Sequence, residues 1–485
     1  EHCMKTLVLF HRLELTEMFS AMSVHLQNSF NIIHVAYSDV EVKLLKNSAI
    51  VGDIICFKDE ISKLLAEGIP VKSTMLEMLD SEILKSTKGN FNLNGALQSD
   101  RGFSALDYDE SLKLTLAYAT FWDELILSSS VDFVMHEDIT LMMNFICAIK
   151  CDKHGAKYVY QLMEPRLPGD QCYLTVYGCE FICSELESNH SLYVSGSKSV
   201  NHDEVDSFLI KFRSSFDIYL EGIIKSRTSP LVLLAGALYH QLTYKIRQIR
   251  FDKFVDNIDL WHVSCNKYLV RYRNLRRYAN EVTFSKFDDT VPYYFYPFHL
   301  EPESVVLYFG GGMYQNQVKL IQNIAAQLPP GDILYVKDHP HDFGYRSADD
   351  YIALTNVPNI KLLEHNFPGK AVIKNSKGVF TINGTSGFEA VILGKPAFIF
   401  GNAFYRNCPG VFHVQHVRNL RELLYSINSN YVADEDGLVK FVASYLDSLS
   451  PGVVDYFAGR ASSYGVDLDD NVKMIADDFT RQMNF

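Results

Sequence analysis

Two kinds of hydrophobic pattern alternate along the first part of the chain. Compact apolar runs at 6–10, 31–36, 53–56, 131–135 and 157–162 have the length of buried strands and are bounded by polar residues. Between them, 17–27, 112–127 and 140–150 place apolar residues three and four apart, the spacing of one helix face. In 112–127 these are Leu112, Leu116, Tyr118, Ala119, Phe121 and Leu125. Short strands alternating with helices predict a parallel sheet covered on both faces. Ligands bind such sheets beyond the carboxyl ends of the strands, so polar residues just after a strand are the ones to inspect.

The rhythm breaks between about 185 and 290. There 205–225 and 231–254 read as long helices, with Phe208, Ile210, Phe212, Phe216, Ile218 and Ile223 set among charges in the first. From 305 the alternation returns, with strands at 305–309, 333–336, 359–362, 378–382 and 397–400. Helices are expected at 315–327, 386–393, 420–428 and 437–449. The pattern predicts an α/β protein in which 4–184 is one doubly wound domain and 291–460 a second. A helical insertion, 185–290, lies between them and a helical tail, 461–485, follows. The insertion can be a lid, an acceptor platform or a membrane-contacting element.

Composition supports this division. A chain of 485 residues is too long for one hydrophobic core, and 47% hydrophobic with 21% charged residues is the make-up of a folded protein. Glu1-His2-Cys3 ahead of Met4 is set aside as an added extension, and 7–10 reads as a strand rather than the core of a signal peptide. The longest apolar stretch, 231–239, has about half of the roughly 20 residues a spanning helix needs. Nine cysteines, an odd number in mostly apolar surroundings, suit a reducing cytoplasm. Cys179 and Cys183 have no second ligand pair nearby and no Asp-x-Asp stands in a metal position, so no metal is expected.

A net charge of −13 argues against nucleic acid as a partner. One stretch reverses the sign: 241–280 holds nine Lys or Arg against three acids. Its segment 268–278 interleaves aromatics with arginines. That composition suits a lipid-linked anionic acceptor or peripheral contact with the inner membrane, and equally a solvated face balancing an acidic protein.

The candidate chemistry sits at strand ends. Leu334-Tyr335-Val336-Lys337-Asp338-His339-Pro340 is a buried strand running into a cation, an imidazole and a proline that stiffens the turn, a donor array suited to phosphate. A backbone-satisfied histidine is the alternative. Further on, a strand runs into Asn383-Gly384-Thr385-Ser386-Gly387 and then a helix. Small residues there let the backbone approach a ligand, hydroxyls donate, and Glu389, one turn into the helix, can reach a ribose. A plain cap with turn glycines is the other reading. Glu301 and Glu303 beside His299, Glu164 before Pro165, and Val134-Met135-His136-Glu137-Asp138 are further candidates, as are His11 and Arg12 after the first strand.

Lys-Asp-His-Pro followed by Asn-Gly-Thr-Ser-Gly-Phe-Glu-Ala, then Leu393-Gly394-Lys395-Pro396-Ala397 and Phe400-Gly401-Asn402-Ala403-Phe404-Tyr405, resembles the bacterial capsular polysaccharide biosynthesis proteins. The resemblance covers 297–412 well and the N-terminal half in outline. It implies a GT-B architecture, two Rossmann-like domains facing a cleft, and transfer of a CMP-activated ulosonic acid (Kdo or a nine-carbon relative) onto a surface glycan. It also implies that His339, Thr385 and Ser386 hold the CMP phosphate, with Lys337, Pro340 and Gly384 around them and Glu389 on the ribose. Glu303 matches the position of a retaining nucleophile, with Glu where those enzymes carry Asp, and Glu301 is second choice. Glu164 matches the acid/base, ahead of Glu137 and Asp138. No bound cofactor is implied beyond the donor substrate, and the partners are that nucleotide sugar and a glycan or lipid-linked acceptor. Rival readings are a UDP- or GDP-sugar transferase, a CDP-polyol transferase, and a catalytically silent scaffold module.

Overall fold

The computed structural model describes residues 4–13, 15–103, 106–163, 172–215, 232, 235, 239, 267–301, 306–340, 342–428, 431–454 and 465–483. The chain forms two compact units, Glu1–Lys198 with Ala443–Phe485, and Ser199–Val442.

The first unit is built on a seven-stranded sheet. Its strands are β1 (Lys5–His11), β2 (Phe30–Ala36), β3 (Asp53–Cys56), β4 (Val131–Met135), β5 (Lys157–Met163), β6 (Cys172–Tyr177) and β13 (Ser450–Pro451), ordered β13-β6-β5-β4-β1-β2-β3. The first five run parallel, and β6 and β13 add an antiparallel edge. The helix Tyr108–Ser128 starts in a capping box in which Asp107 and Glu110 satisfy each other's backbone N–H groups. Beside it, the helix Met142–His154 is buried over its first ten residues.

The opposite face of the sheet is covered partly from the far end of the chain. In the helix Leu468–Met483, Val472, Ile475, Ala476, Phe479 and Met483 fall on one face and pack with Leu7, Phe30 and Phe133. The predicted tail is therefore part of the first unit's core.

The second unit holds β7 (Tyr293–Pro297), β8 (Ile333–Lys337), β9 (Ile360–Leu363), β10 (Val379–Thr381), β11 (Ala397–Ile399) and β12 (Val411–His413). All six are parallel, in the order β12-β11-β10-β7-β8-β9. The α/β class and the two doubly wound units match the expectation. One strand does not: β7 opens this sheet, and the run expected as a strand at 305–309 is a turn over 306–312. Its apolar side chains are buried as a strand's would be. Gly311 and Gly312, however, adopt φ of 69° and 68° and donate back to Tyr308 and Leu307, both at 3.1 Å.

Of the predicted insertion, the helix Ser184–Val194 goes with the first unit, while the helices His202–Ser214 and Lys267–Glu281 go with the second. The expected helix 231–254 lies outside the described residues apart from positions 232, 235 and 239. Each sheet has one place where successive crossovers leave in opposite directions. These switch points fall between β1 and β4 in the first unit and between β7 and β10 in the second. By the rule for open parallel sheets, those are the ligand crevices.

Candidate functional site

Three strand ends meet around the second unit's switch point: those of β7, β8 and the flanking β10. His299, two residues past β7, is buried at the centre. Its Nδ1 lies 3.1 Å from Gln317 Oε1, which also accepts from the His299 backbone N–H at 3.0 Å and from Tyr296 at 3.1 Å. An amide oxygen only accepts, so Nδ1 carries the proton and Nε2 a lone pair. That lone pair faces the Thr381 hydroxyl at 2.9 Å, and the same hydroxyl oxygen accepts from Gly384 N–H at 2.9 Å. Burial pushes the His299 pKa down to about 4, so the ring is neutral in this relay. The chain Gln317–His299–Thr381–Gly384 thus fixes the turn that follows β10.

The turn is packed from the other side too. Tyr405 donates to the Gly384 carbonyl, and a methyl group at Gly387 would overlap the Tyr405 ring. Asn383, Gly384, Thr385 and Ser386 remain half-exposed. Asn383 Oδ1 is a buried acceptor with no hydrogen-bond partner among the described residues. Glu389 is half-buried on the same helix, Ser386–Ile392, close enough to contribute to the raised pKa of Tyr405, after burial itself.

The end of β8 is anchored by a buried arginine. Arg346, its side chain 2% exposed, pairs with Glu301 at 2.8 Å, Asp338 at 3.1 Å and Asp342 at 3.2 Å, and its guanidinium lies 3.8 Å from the centre of the Phe298 ring. Burial alone lowers its pKa, and the three carboxylates more than reverse that. Asp338 spends one oxygen on Arg346 and takes the His339 backbone N–H on the other at 2.8 Å. The His339 carbonyl accepts from Asp342 N–H at 2.9 Å. Lys-Asp-His-Pro is accordingly a fixed turn with His339 and Pro340 half-exposed on it. Asp342 is pushed up to about 7 by burial and by the neighbouring Asp338, against the pull of Arg346.

The expected residues fare differently. His339, Pro340, Gly384, Thr385 and Ser386 stand on strand-end turns bordering one switch point, and the β7 loop ties into both turns. Lys337 points its ammonium at the His365 carbonyl, 3.3 Å away, which gives it a structural contact. Glu303 and Glu164 lie outside the described residues. Glu301 is held by Arg346 and by Gln317 Nε2 at 2.5 Å, so its charge is spoken for. Arg346, Asp338, His299, Gln317 and Thr381 carry the site's architecture without having been picked out as site residues. The signal was faint: a polar residue directly after each strand, and an arginine among acids.

The first unit's switch point gathers His11, Arg12, His136 and Glu137. His11 Nε2 and His34 Nδ1 are 2.8 Å apart, and Arg12 pairs with Glu137 at 2.9 Å. Of the basic 241–280 stretch, the described part docks on the second unit. Asn274 donates to the Gly344 carbonyl at 3.0 Å, Tyr278 enters the core, and Arg277 bridges Glu281 and Asp349, both at 2.7 Å. Among the described residues no helix is long and apolar enough to cross a membrane, and no group of His, Cys, Asp or Glu is arranged to hold a metal.

Comparison with known proteins places part of this chain. Residues 231–423 match the family model described as capsule polysaccharide biosynthesis protein. The capsule polysaccharide export protein KpsS of Escherichia coli is 31% identical over 96 residues, 19% of this chain and 24% of that protein. The chain therefore aligns with about a quarter of this relative's length. Two Thermosulfurimonas dismutans KpsC structures, a beta Kdo 2,4 transferase and a beta Kdo 2,7 transferase, are each 11% identical. The first covers 67% of this chain and 85% of its own at a TM-score of 0.31, the second 73% and 88% at 0.30. A Neisseria meningitidis UDP-GlcNAc 2-epimerase bound to UDP-GlcNAc is 11% identical over 92% of this chain and 99% of its own, at 0.25. Overlaps this loose transfer neither a ligand nor a residue role.

Proposed function

We propose, for a chain that carries a capsule polysaccharide biosynthesis region, that it is a glycosyltransferase whose second unit binds a CMP-activated ulosonic acid. The observation that carries this reading is the β7–β10 switch point, where a fully hydrogen-bonded relay from Gln317 to Gly384 holds the Thr385-Ser386 turn in place. Preorganised donors of this kind suit a phosphate better than flexible ones, because no ordering cost is incurred on binding. In this reading Thr385, Ser386 and His339 take the phosphate of CMP. Glu389 takes the ribose, and the unpartnered Asn383 Oδ1 accepts from an N–H or O–H of the nucleoside.

The chemistry proposed is a double displacement. The Glu303 carboxylate attacks the anomeric carbon, the bond to the phosphate oxygen breaks, and its electron pair leaves with CMP. An acceptor hydroxyl then displaces Glu303 while Glu164 takes its proton. Neither step calls on a metal, since His339 and the turn offset charge on the departing phosphate.

Thermal-shift and calorimetric titration with CMP, CDP, UDP and GDP tests the donor assignment. CMP is expected to bind most tightly. Thr385→Ala with Ser386→Ala should weaken it by about 10- to 100-fold, the scale of losing hydrogen bonds to a charged group. Preference for UDP or GDP would move the protein to another sugar donor, and preference for CDP to a polyol-phosphate donor. Silence toward all four would overturn the transferase reading in favour of a scaffold.

A further inference from the structure

The open end of the first unit's sheet is formed by strand β3 and by the helix Asp39–Lys46, which crosses from β2 to β3 and packs on both. Ser38 and Glu41 close a capping box at the helix start, where the Ser38 N–H donates to Glu41 Oε2 at 2.9 Å, so this short element is firmly held. Glu41 and Leu45 are its buried positions, whereas Val40 and Leu44 are 58% and 52% exposed. Four residues apart, these two make one apolar ridge on the helix surface. Val51, on the connection into β3, is 61% exposed as well. An isolated exposed aliphatic residue is ordinary, but three on the elements that flank one strand edge mark a surface that is covered by something.

The strand itself is open. β3 is last in the strand order and pairs with β2 alone among the described residues. Exposed edges are commonly blunted by lysine, proline or a bulge, and Asp53-Ile54-Ile55-Cys56 has none of these. Ile54 and Ile55 are half-exposed on it. Charge decides which partner fits. The helix runs from Asp39 at its start to Lys43 and Lys46 at its end, and Asp39 and Lys43 are largely exposed. That polarity repels a parallel copy of the same helix and attracts an antiparallel one.

A twofold axis perpendicular to the sheet, just outside β3, uses the ridge, the edge and the charge together. It sets β3 antiparallel to its own copy at about 4.8 Å, the spacing of paired strands. A helix over the groove between β2 and β3 then lies about 10 Å from its copy, which is the distance at which helices pack. Across the axis, Val40 of each copy meets Leu44 of the other, and Asp39 of each lies beside Lys46 of the other. We infer that the β3 edge and the helix Asp39–Lys46 form a self-complementary interface with a second copy of this chain. The inference is independent of the donor reading.

The test follows self-association of the full chain by sedimentation velocity at low salt and concentrations up to about 100 μM, where even a weak specific interface is populated. A reversible dimer is expected. Leu44→Glu, which brings a charge into the apolar ridge of both copies, should weaken it by about 10-fold or more. Asp39→Lys alone and Lys46→Asp alone each turn both cross-copy pairs repulsive and should weaken it several-fold. An equimolar mixture of those two variants should recover the dimer, because both pairs are attractive again in the heterodimer. All of these side chains lie on the surface, so an unchanged thermal melt confirms that each variant is folded. A monomer at every concentration overturns the proposal and leaves the edge to a partner of another sequence. A dimer indifferent to Leu44→Glu, or a mixture no tighter than its components, overturns it too.

Discussion

At the second unit's switch point both ring nitrogens of His299 are engaged, and the charged groups beside it converge on Arg346. At the first unit's switch point His11 and His34 share a hydrogen bond, but His11 Nδ1 and His136 Nε2 are buried nitrogens without a hydrogen-bond partner among the described residues, and Arg12 pairs with Glu137. The topology is shared and the finish differs. A saturated network makes a stiff frame that presents other groups, here the half-exposed turns at His339 and Thr385. An unsaturated one leaves part of its hydrogen bonding to a ligand. The second unit's frame is thus built to hold a turn, whereas the first unit's carries buried ring nitrogens without partners among the described residues.

The comparison predicts unequal costs for breaking each arginine. Arg346→Met strands three carboxylates in a buried setting and should cost about 3–5 kcal/mol in chemical denaturation. Arg12→Met strands Glu137, whose side chain is 15% exposed against 3% for Asp338 and 9% for Asp342, and should cost less. Equal losses would mean that the second unit's network is no more than a set of surface pairs.

Acid should separate the units next. Burial lowers the pKa of His11, His34 and His136 in the first unit, and of His299 at the second unit's switch point. A folded-state pKa near 4 against 6.5 means the unfolded chain takes up the proton first. Stability is then complete above about 6.5 and falls as pH drops toward 4, by about 1.4 kcal/mol per pH unit for each such ring. Asp342 runs the other way: raised to about 7, it favours the folded state at low pH and loses that contribution as pH rises through 7. It offsets His299, and Asp350, raised by burial, stands against His413. In the first unit, by contrast, Asp100 and Glu185, both raised by burial, stand against four lowered imidazoles, His11, His34, His136 and His190. Hydrogen exchange between pH 7 and 4 should therefore show the first unit opening before the second. Simultaneous opening would contradict this balance.

Much of this was legible in the sequence because strand ends announce themselves. A compact apolar run stopping at Asp338-His339-Pro340 or at Asn383-Gly384 has few other meanings, and both turns lie where that rule put them. What could not be read depended on distant partners. Arg346 is anonymous until the turn at 339–342 folds back and brings Glu301 from the previous strand beside it. The run at 305–309 has a strand's composition, and only the left-handed Gly311 and Gly312 after it curl it into a turn. Strand β7 hid behind aromatics and a terminal proline. The helix Leu468–Met483 shows its apolar face plainly, but nothing local says that this face belongs to a sheet begun more than 400 residues earlier.

The smallest predicted effect probes the stiffness attributed to the second unit. Gly387 sits against Tyr405, and its missing side chain lets that tyrosine reach the Gly384 carbonyl. Gly387→Ala should push the ring away, costing about 1–3 kcal/mol as an overpacked contact. It should also weaken CMP binding, because the Thr385-Ser386 turn loses one of its two supports. Tyr405→Phe alone gives up one hydrogen bond, about 1 kcal/mol, while the His299–Thr381 support remains. If overlap with the tyrosine hydroxyl is the cause, the double variant should be more stable than Gly387→Ala alone and should recover part of the nucleotide affinity. A double variant whose losses simply add would show that the two residues act independently, and that the turn is held by the histidine relay alone.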